Sequence, residues 1–143
     1  MHVWLHVRRF TPDEANAMLP RLRRDMKRIS ELLALAREKH REKQLIKAVG
    51  YRPDGSLIME ADYQEAERIL NDAVREIDDL IQAIHEEGAL VKDLERGLVD
   101  FPATLNGQDV LLCWQMGEER VEYYHDDASG YAGRKRIPPD WRL

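Results

Sequence analysis

The residues best suited to chemistry lie in the last third of the chain: Asp100, Glu118, His125, Asp126, Asp127 and Arg134. A histidine can exchange a proton near neutral pH or ligate a metal. Asp126 or Asp127 can orient His125, and His125 with Asp126 is a minimal donor pair for a divalent ion. Arg134 closes the segment Gly130-x-x-Gly133-Arg134, which can present a guanidinium and backbone N–H groups to a carboxylate or phosphate. A plainer reading outweighs the ligand site: Glu118 shapes a turn, Arg134 pairs with Asp100, and His125 caps a strand.

Three other groupings are weaker. His2 and His6 have the H-x-x-x-H spacing, but on a strand their side chains start about 13 Å apart and cannot share one ion. Asp78, Gln82 and His85 fall on neighbouring turns of one helix face. A helix-end histidine facing the C-terminal dipole explains His85 better than a metal does. Cys113 and His125 suggest a nucleophile and its base. With a turn centred on Gly117-Glu118, Cys113 lies opposite Glu122 and His125 opposite Val110. The pair is then about 10 Å apart, and Cys113 reads as a small buried apolar residue.

These residues must be positioned by a chain of 143 residues, 43% apolar and 34% charged, with a net charge of −5. That length suits one domain with its own core. A single cysteine excludes an internal disulfide and a cysteine-built zinc site. The sequence lacks an apolar run of membrane-span length and a signal peptide, so a cytoplasmic address is expected and a membrane is not. The charge is uneven. Residues 1–50 hold twelve Lys+Arg against six Asp+Glu, or +6, which leaves −11 for the remainder. Two oppositely charged helices explain this better than a nucleic-acid arm does.

Alternation of Val3, Leu5 and Val7 predicts a short strand over 2–8. Thr11-Pro12-x-Glu14 is a capping box with Pro in the first turn. The helix it starts carries the seam Leu19, Leu22, Met26, Ile29, Leu33, Ala36. A loop at Gly50–Gly55 leads to a second helix from about Asp62 to just before Gly88, with the seam Ala66, Leu70, Ala73, Ile77, Leu80, Ile84. Leu32, Leu35, Ile69, Val74 and Ile81 lie off the seams and need a second cover. Strands follow at 97–103, stopped or edged by Pro102, then at 109–115 and 120–125, joined by turns at Asn106-Gly107 and Met116–Glu119. A Gly-rich loop and an extended tail complete the chain.

The sequence resembles the bacterial domain of unknown function 2203 family. The resemblance lies in Phe10-Thr11-x-x-Glu14-Ala15-Asn16-x-x-Leu19-Pro20 and in Gly88-x-Leu90-Val91-Lys92-Asp93-x-x-x-Gly97-Leu98-Val99-Asp100-Phe101-Pro102-Ala103. It continues through Leu112-Cys113-Trp114-x-x-Gly117-Glu118, His125 and Gly130-x-x-Gly133-Arg134. The chain departs from it at Tyr124-His125, where members often have Trp-His. The resemblance implies a bacterial, cytoplasmic, single-domain protein and no particular activity.

The expected fold is α+β: one domain over 1–143, with a long antiparallel helical hairpin (about 11–88) beside a small antiparallel β-meander (about 89–143, plus the strand at 2–8). The first functional expectation is a non-enzymatic interaction or scaffold protein that forms a homo-oligomer through its helices. The alternative is a small-ligand or divalent-metal-binding protein, or an enzyme, using the His125/Arg134 end of the sheet.

Overall fold

The computed structural model describes residues 7–141. The expected capping box forms. The Thr11 N–H donates to Glu14 Oε1 at 2.8 Å, and the Glu14 N–H donates to Thr11 Oγ1 at 3.1 Å. Helix α1 follows as Pro12–Val49 and helix α2 as Glu60–Glu86. Five strands make one antiparallel sheet in the order β1-β2-β3-β4-β5: β1 Leu90–Asp93, β2 Leu98–Leu105, β3 Gln108–Gln115, β4 Tyr123–His125 and β5 Lys135–Arg136. The fold is α+β, as expected. The strand expected at 2–8 lies outside the described residues for 2–6, as do His2 and His6, while Val7 and Arg8 belong to no strand.

The chain divides into two compact units, one of residues 28–80 and one of residues up to 27 with those from 81 on. In the 28–80 unit the seam residues Ile29, Ala36, Ala66, Ala73 and Ile77 are buried. One position slips: Leu32 is buried where Leu33 is half-buried. A strict seven-residue seam drifts round a straight 3.6-residue helix, so the neighbour takes over. Past Ala36 the seam reaches Lys43, whose ammonium lies 5.0 Å from the Tyr63 ring centroid. Arg28 pairs bidentately with Glu76 at 2.7 and 3.0 Å, and Lys43 pairs with Glu67 at 3.8 Å. Basic α1 and acidic α2 thus meet within this unit.

In the other unit the sheet is anchored on its β2–β3 hairpin. Asn106 (φ 52°) and Gly107 (φ 79°) form its two-residue turn, and both φ values are positive as a primed turn requires. Strand β2 runs through Pro102 to Leu105, further than expected. The edge reading of Pro102 holds. Strand β1 pairs only as far as Asp100, so no neighbour asks Pro102 for a donor, and its carbonyl accepts the Phe10 N–H at 2.7 Å. One sheet face carries Val99, Phe101, Leu112 and Trp114, all fully buried, with Phe10 edge-on to Phe101 at 5.2 Å. The opposite face carries Asp100, Leu111, Cys113, Tyr123 and His125.

The β3–β4 connection corrects the expected register. The chain stays irregular over 116–122, so β4 begins at Tyr123 rather than at 120. Leu111 then faces His125 and Cys113 faces Tyr123. This is one residue away from the pairing expected from a tight turn at Gly117-Glu118. Side chains alternate faces with period two, so one step transfers His125 to the face of Cys113.

Candidate functional site

Asp100 lies directly opposite Cys113 on β2 and β3, and His125 is two residues along β4 from the partner of Cys113. All three side chains share one face, within diagonal reach across the strands. Asp100 is 3% exposed, Cys113 1% and His125 4%. One ligand atom from each, carboxylate oxygen, sulfur and imidazole nitrogen, lies within 4.8 Å of the other two. The expected separation of about 10 Å between Cys113 and His125 is therefore overturned by the one-residue register step.

The protonation pattern follows from the partners. His125 Nδ1 is 2.7 Å from the Asp126 carbonyl oxygen, and Nε2 is 3.1 Å from Asp100 Oδ2. A carbonyl only accepts, so Nδ1 carries a hydrogen and donates it. The Nε2 lone pair then points at a carboxyl oxygen, and one proton must lie between them. Burial pushes the Asp100 carboxyl up, against the opposing pull of His125. Burial, reinforced by the Asp100 charge, pushes the Cys113 thiol up to about 12. The sulfur is therefore held as a thiol, which speaks against the nucleophile reading on chemical grounds.

Three lone-pair donors thus meet in the core, held together by two protons. That arrangement fits a divalent transition metal. A tetrahedral ion with ligands at about 2.0–2.3 Å sets its donors roughly 3.3–3.8 Å apart. The 3.1 Å Asp100–His125 pair is close to that spacing. The Nδ1–carbonyl bond is the outer contact that fixes the tautomer of a metal-binding imidazole. Replacing two protons by a dication also leaves the buried charge unchanged. A cavity of about 150 Å³ adjoins the three donors, lined also by Lys92, Leu98, Leu111, Asp127, Gly130 and Tyr131.

The remaining expected site residues form a separate cluster. Arg134 Nη2 donates to Glu118 Oε1 at 2.7 Å and to the Cys113 carbonyl at 3.2 Å. Glu118 Oε1 also accepts the Gln115 N–H at 2.7 Å, closing the turn after β3. The Arg134 guanidinium lies 4.1 Å from the Tyr123 ring centroid and 4.7 Å from that of Tyr131. Arg134 is thus a clamp on the segment over the sheet, and its partner is Glu118 rather than Asp100. Asp126 contributes its carbonyl to His125, while its carboxylate accepts the Ser129 N–H at 2.6 Å. That bond holds the Asp126 carboxyl below the usual range. Asp127 is exposed at the cavity wall. His85 Nε2 accepts the Val91 N–H at 3.0 Å, a structural contact between α2 and β1.

Sequence reasoning set Cys113 aside as a small buried apolar residue and passed over Lys92 and Tyr131. The available signal was Asp100, a carboxylate inside the apolar run Leu98–Ala103, which needs a buried partner. No curated protein and no solved structure matches the chain. A family model does match it over residues 8–137, and the chain belongs to the family described as "Uncharacterized conserved protein (DUF2203)".

Proposed function

We propose that this protein binds a divalent transition metal, of the zinc class, through Asp100, Cys113 and His125. The observation that supports this reading is the convergence of three different ligand types, all buried, within 4.8 Å. Buried ionisable groups are costly unless paired or coordinated, and these three satisfy one another only through shared protons. A bacterial cytoplasm, kept reducing, would preserve the single sulfur as a ligand.

The test is zinc titration of the chelator-stripped full chain against a chromophoric competitor. One ion per chain is expected. Cys113→Ser, His125→Gln and Asp100→Asn should each weaken binding by more than about tenfold, since loss of an outer-shell contact alone typically costs that much. Absence of binding in the unsubstituted chain, or variants that bind as tightly as the unsubstituted chain, would overturn the proposal.

A second reading rests on a different observation. Leu45, Val49, Tyr51 and Ile58, in the 28–80 unit, are 66%, 52%, 57% and 46% exposed. Such a patch supports self-association through the helices, as a homodimer acting in an interaction or scaffold role. The two readings are compatible, because the residues involved belong to different units.

A further inference from the structure

This inference rests on the metal-binding reading and concerns what else the ion would hold. Zinc-class ions take four ligands in a tetrahedron, and a site with three protein ligands leaves one position for water or substrate. Asp100, Cys113 and His125 supply three donors, and all three line the 150 Å³ cavity. A water's share of liquid volume is about 30 Å³, so the space admits several waters or one small organic ion.

The chemistry of the walls narrows the choice. Leu98 and Leu111 offer apolar surface, and Tyr131 is committed through its hydroxyl to Gln115 at 2.8 Å. That leaves two charged groups facing the space. Lys92 lines the same cavity as Asp100, Cys113 and His125, which places a positive charge on its wall. Asp127 supplies a negative one. A thiolate and a carboxylate neutralise a dication, so these two residues decide the sign of the next ligand. Lys92 is held on β1, which pairs with the strand that carries Asp100, whereas Asp127 belongs to the turn after β4.

We infer that the ion's fourth position opens into this cavity and takes a small carboxylate anion, with Lys92 as its charge partner and Asp127 opposing it. Apolar walls suit the short carbon chain of such a ligand and a cation suits its head. A site closed by Asp127 itself, as a fourth protein ligand, is the competing arrangement.

Cobalt(II) replaces zinc in such sites and reports its coordination by visible absorption. The full chain is loaded with cobalt and titrated with acetate. The expected result is a tetrahedral spectrum with a thiolate charge-transfer band, whose d–d bands shift saturably as acetate binds. Lys92→Met should weaken acetate about threefold to tenfold, and Asp127→Asn should tighten it by a similar factor, as expected for charges near a protein surface. Both residues are exposed, so these variants leave the core intact. A tetrahedral cobalt spectrum that acetate leaves unchanged overturns this inference while keeping the metal site. Loss of the tetrahedral spectrum in Asp127→Asn identifies a closed site and also overturns it. Failure to bind cobalt at all removes the metal-binding reading beneath it.

Discussion

Cys113 has two properties that separate a ligand from a nucleophile. It is 1% exposed, and burial with the neighbouring Asp100 charge pushes its thiol up to about 12. The folded chain should therefore resist iodoacetamide at pH 8, while the urea-unfolded chain reacts at the rate of an ordinary thiol. Rapid labelling of the native protein would contradict the burial. Metal binding must then expel the thiol proton together with the one shared by Asp100 and His125. Ligand deprotonation makes affinity rise with pH, by roughly tenfold per pH unit for each proton released. The Cys113 thiol, held up to about 12, carries its proton throughout pH 6 to 8, so affinity should rise at least roughly tenfold per unit there. Calorimetry in two buffers of different ionisation enthalpy counts these protons directly, and a count near zero would mean the cluster is not the binding site.

At the scale of elements, the turns decide which side chains meet. Both helices and the Asn106-Gly107 hairpin were legible because their signals are local: a capping box, a seven-residue seam, a two-residue primed turn. The β3–β4 connection has no such signal. Glu118 receives hydrogen bonds from Arg134 and Gln115, so a residue sixteen positions away helps to shape the turn. Tertiary contacts of that kind set the loop length, and the resulting one-residue step decided whether Cys113 and His125 could meet. Asp100, Glu118, His125 and Arg134 were therefore identified as individuals, and their pairing was not. The same end of the sheet supplies a stability test. Gly97 has φ 67°, and a Cβ there would lie 2.7 Å from Met116 Cβ, whereas a Cβ at Gly107, with φ 79°, meets nothing within 4 Å. Gly107→Ala should cost about 1–2 kcal/mol of backbone strain. Gly97→Ala carries similar strain plus an overlap worth roughly 1–3 kcal/mol. Urea midpoints should fall in that order, and equal midpoints would show that Met116 moves away without cost.

For the whole molecule, the charge division and the apolar surface have different consequences. The imbalance of +6 and −11 is expressed as pairs between the helices, Arg28 with Glu76 and Lys43 with Glu67, and as Arg21 with Glu87 just past the end of α2. The two arginine pairs are solvent-accessible, so each adds only about 0–1 kcal/mol, and the half-buried Lys43 meets Glu67 only at 3.8 Å; these pairs mainly select how the helices align. Of the off-seam apolar residues, Leu32 is buried and Leu35, Ile69 and Ile81 are half-buried, while Val74 stays 43% exposed. Apart from Val74, the exposed large apolar residues described in the 28–80 unit lie near the loop between the helices, at Leu45, Val49, Tyr51 and Ile58. A second copy covering that patch would use hydrophobic contact and little charge, so association should resist salt and fail when the patch is made polar. Light scattering on the full chain, on the order of tens of micromolar, should give twice the 16.7 kDa chain mass. Leu45→Glu with Ile58→Glu should restore the single-chain mass without changing the helical circular dichroism, because neither side chain belongs to the buried seam. A single-chain mass for the unsubstituted protein, or dimers that persist in the double variant, would remove the patch as an interface. Since the patch lies in residues 28–80 and the metal donors do not, the double variant should keep the zinc affinity of the unsubstituted chain.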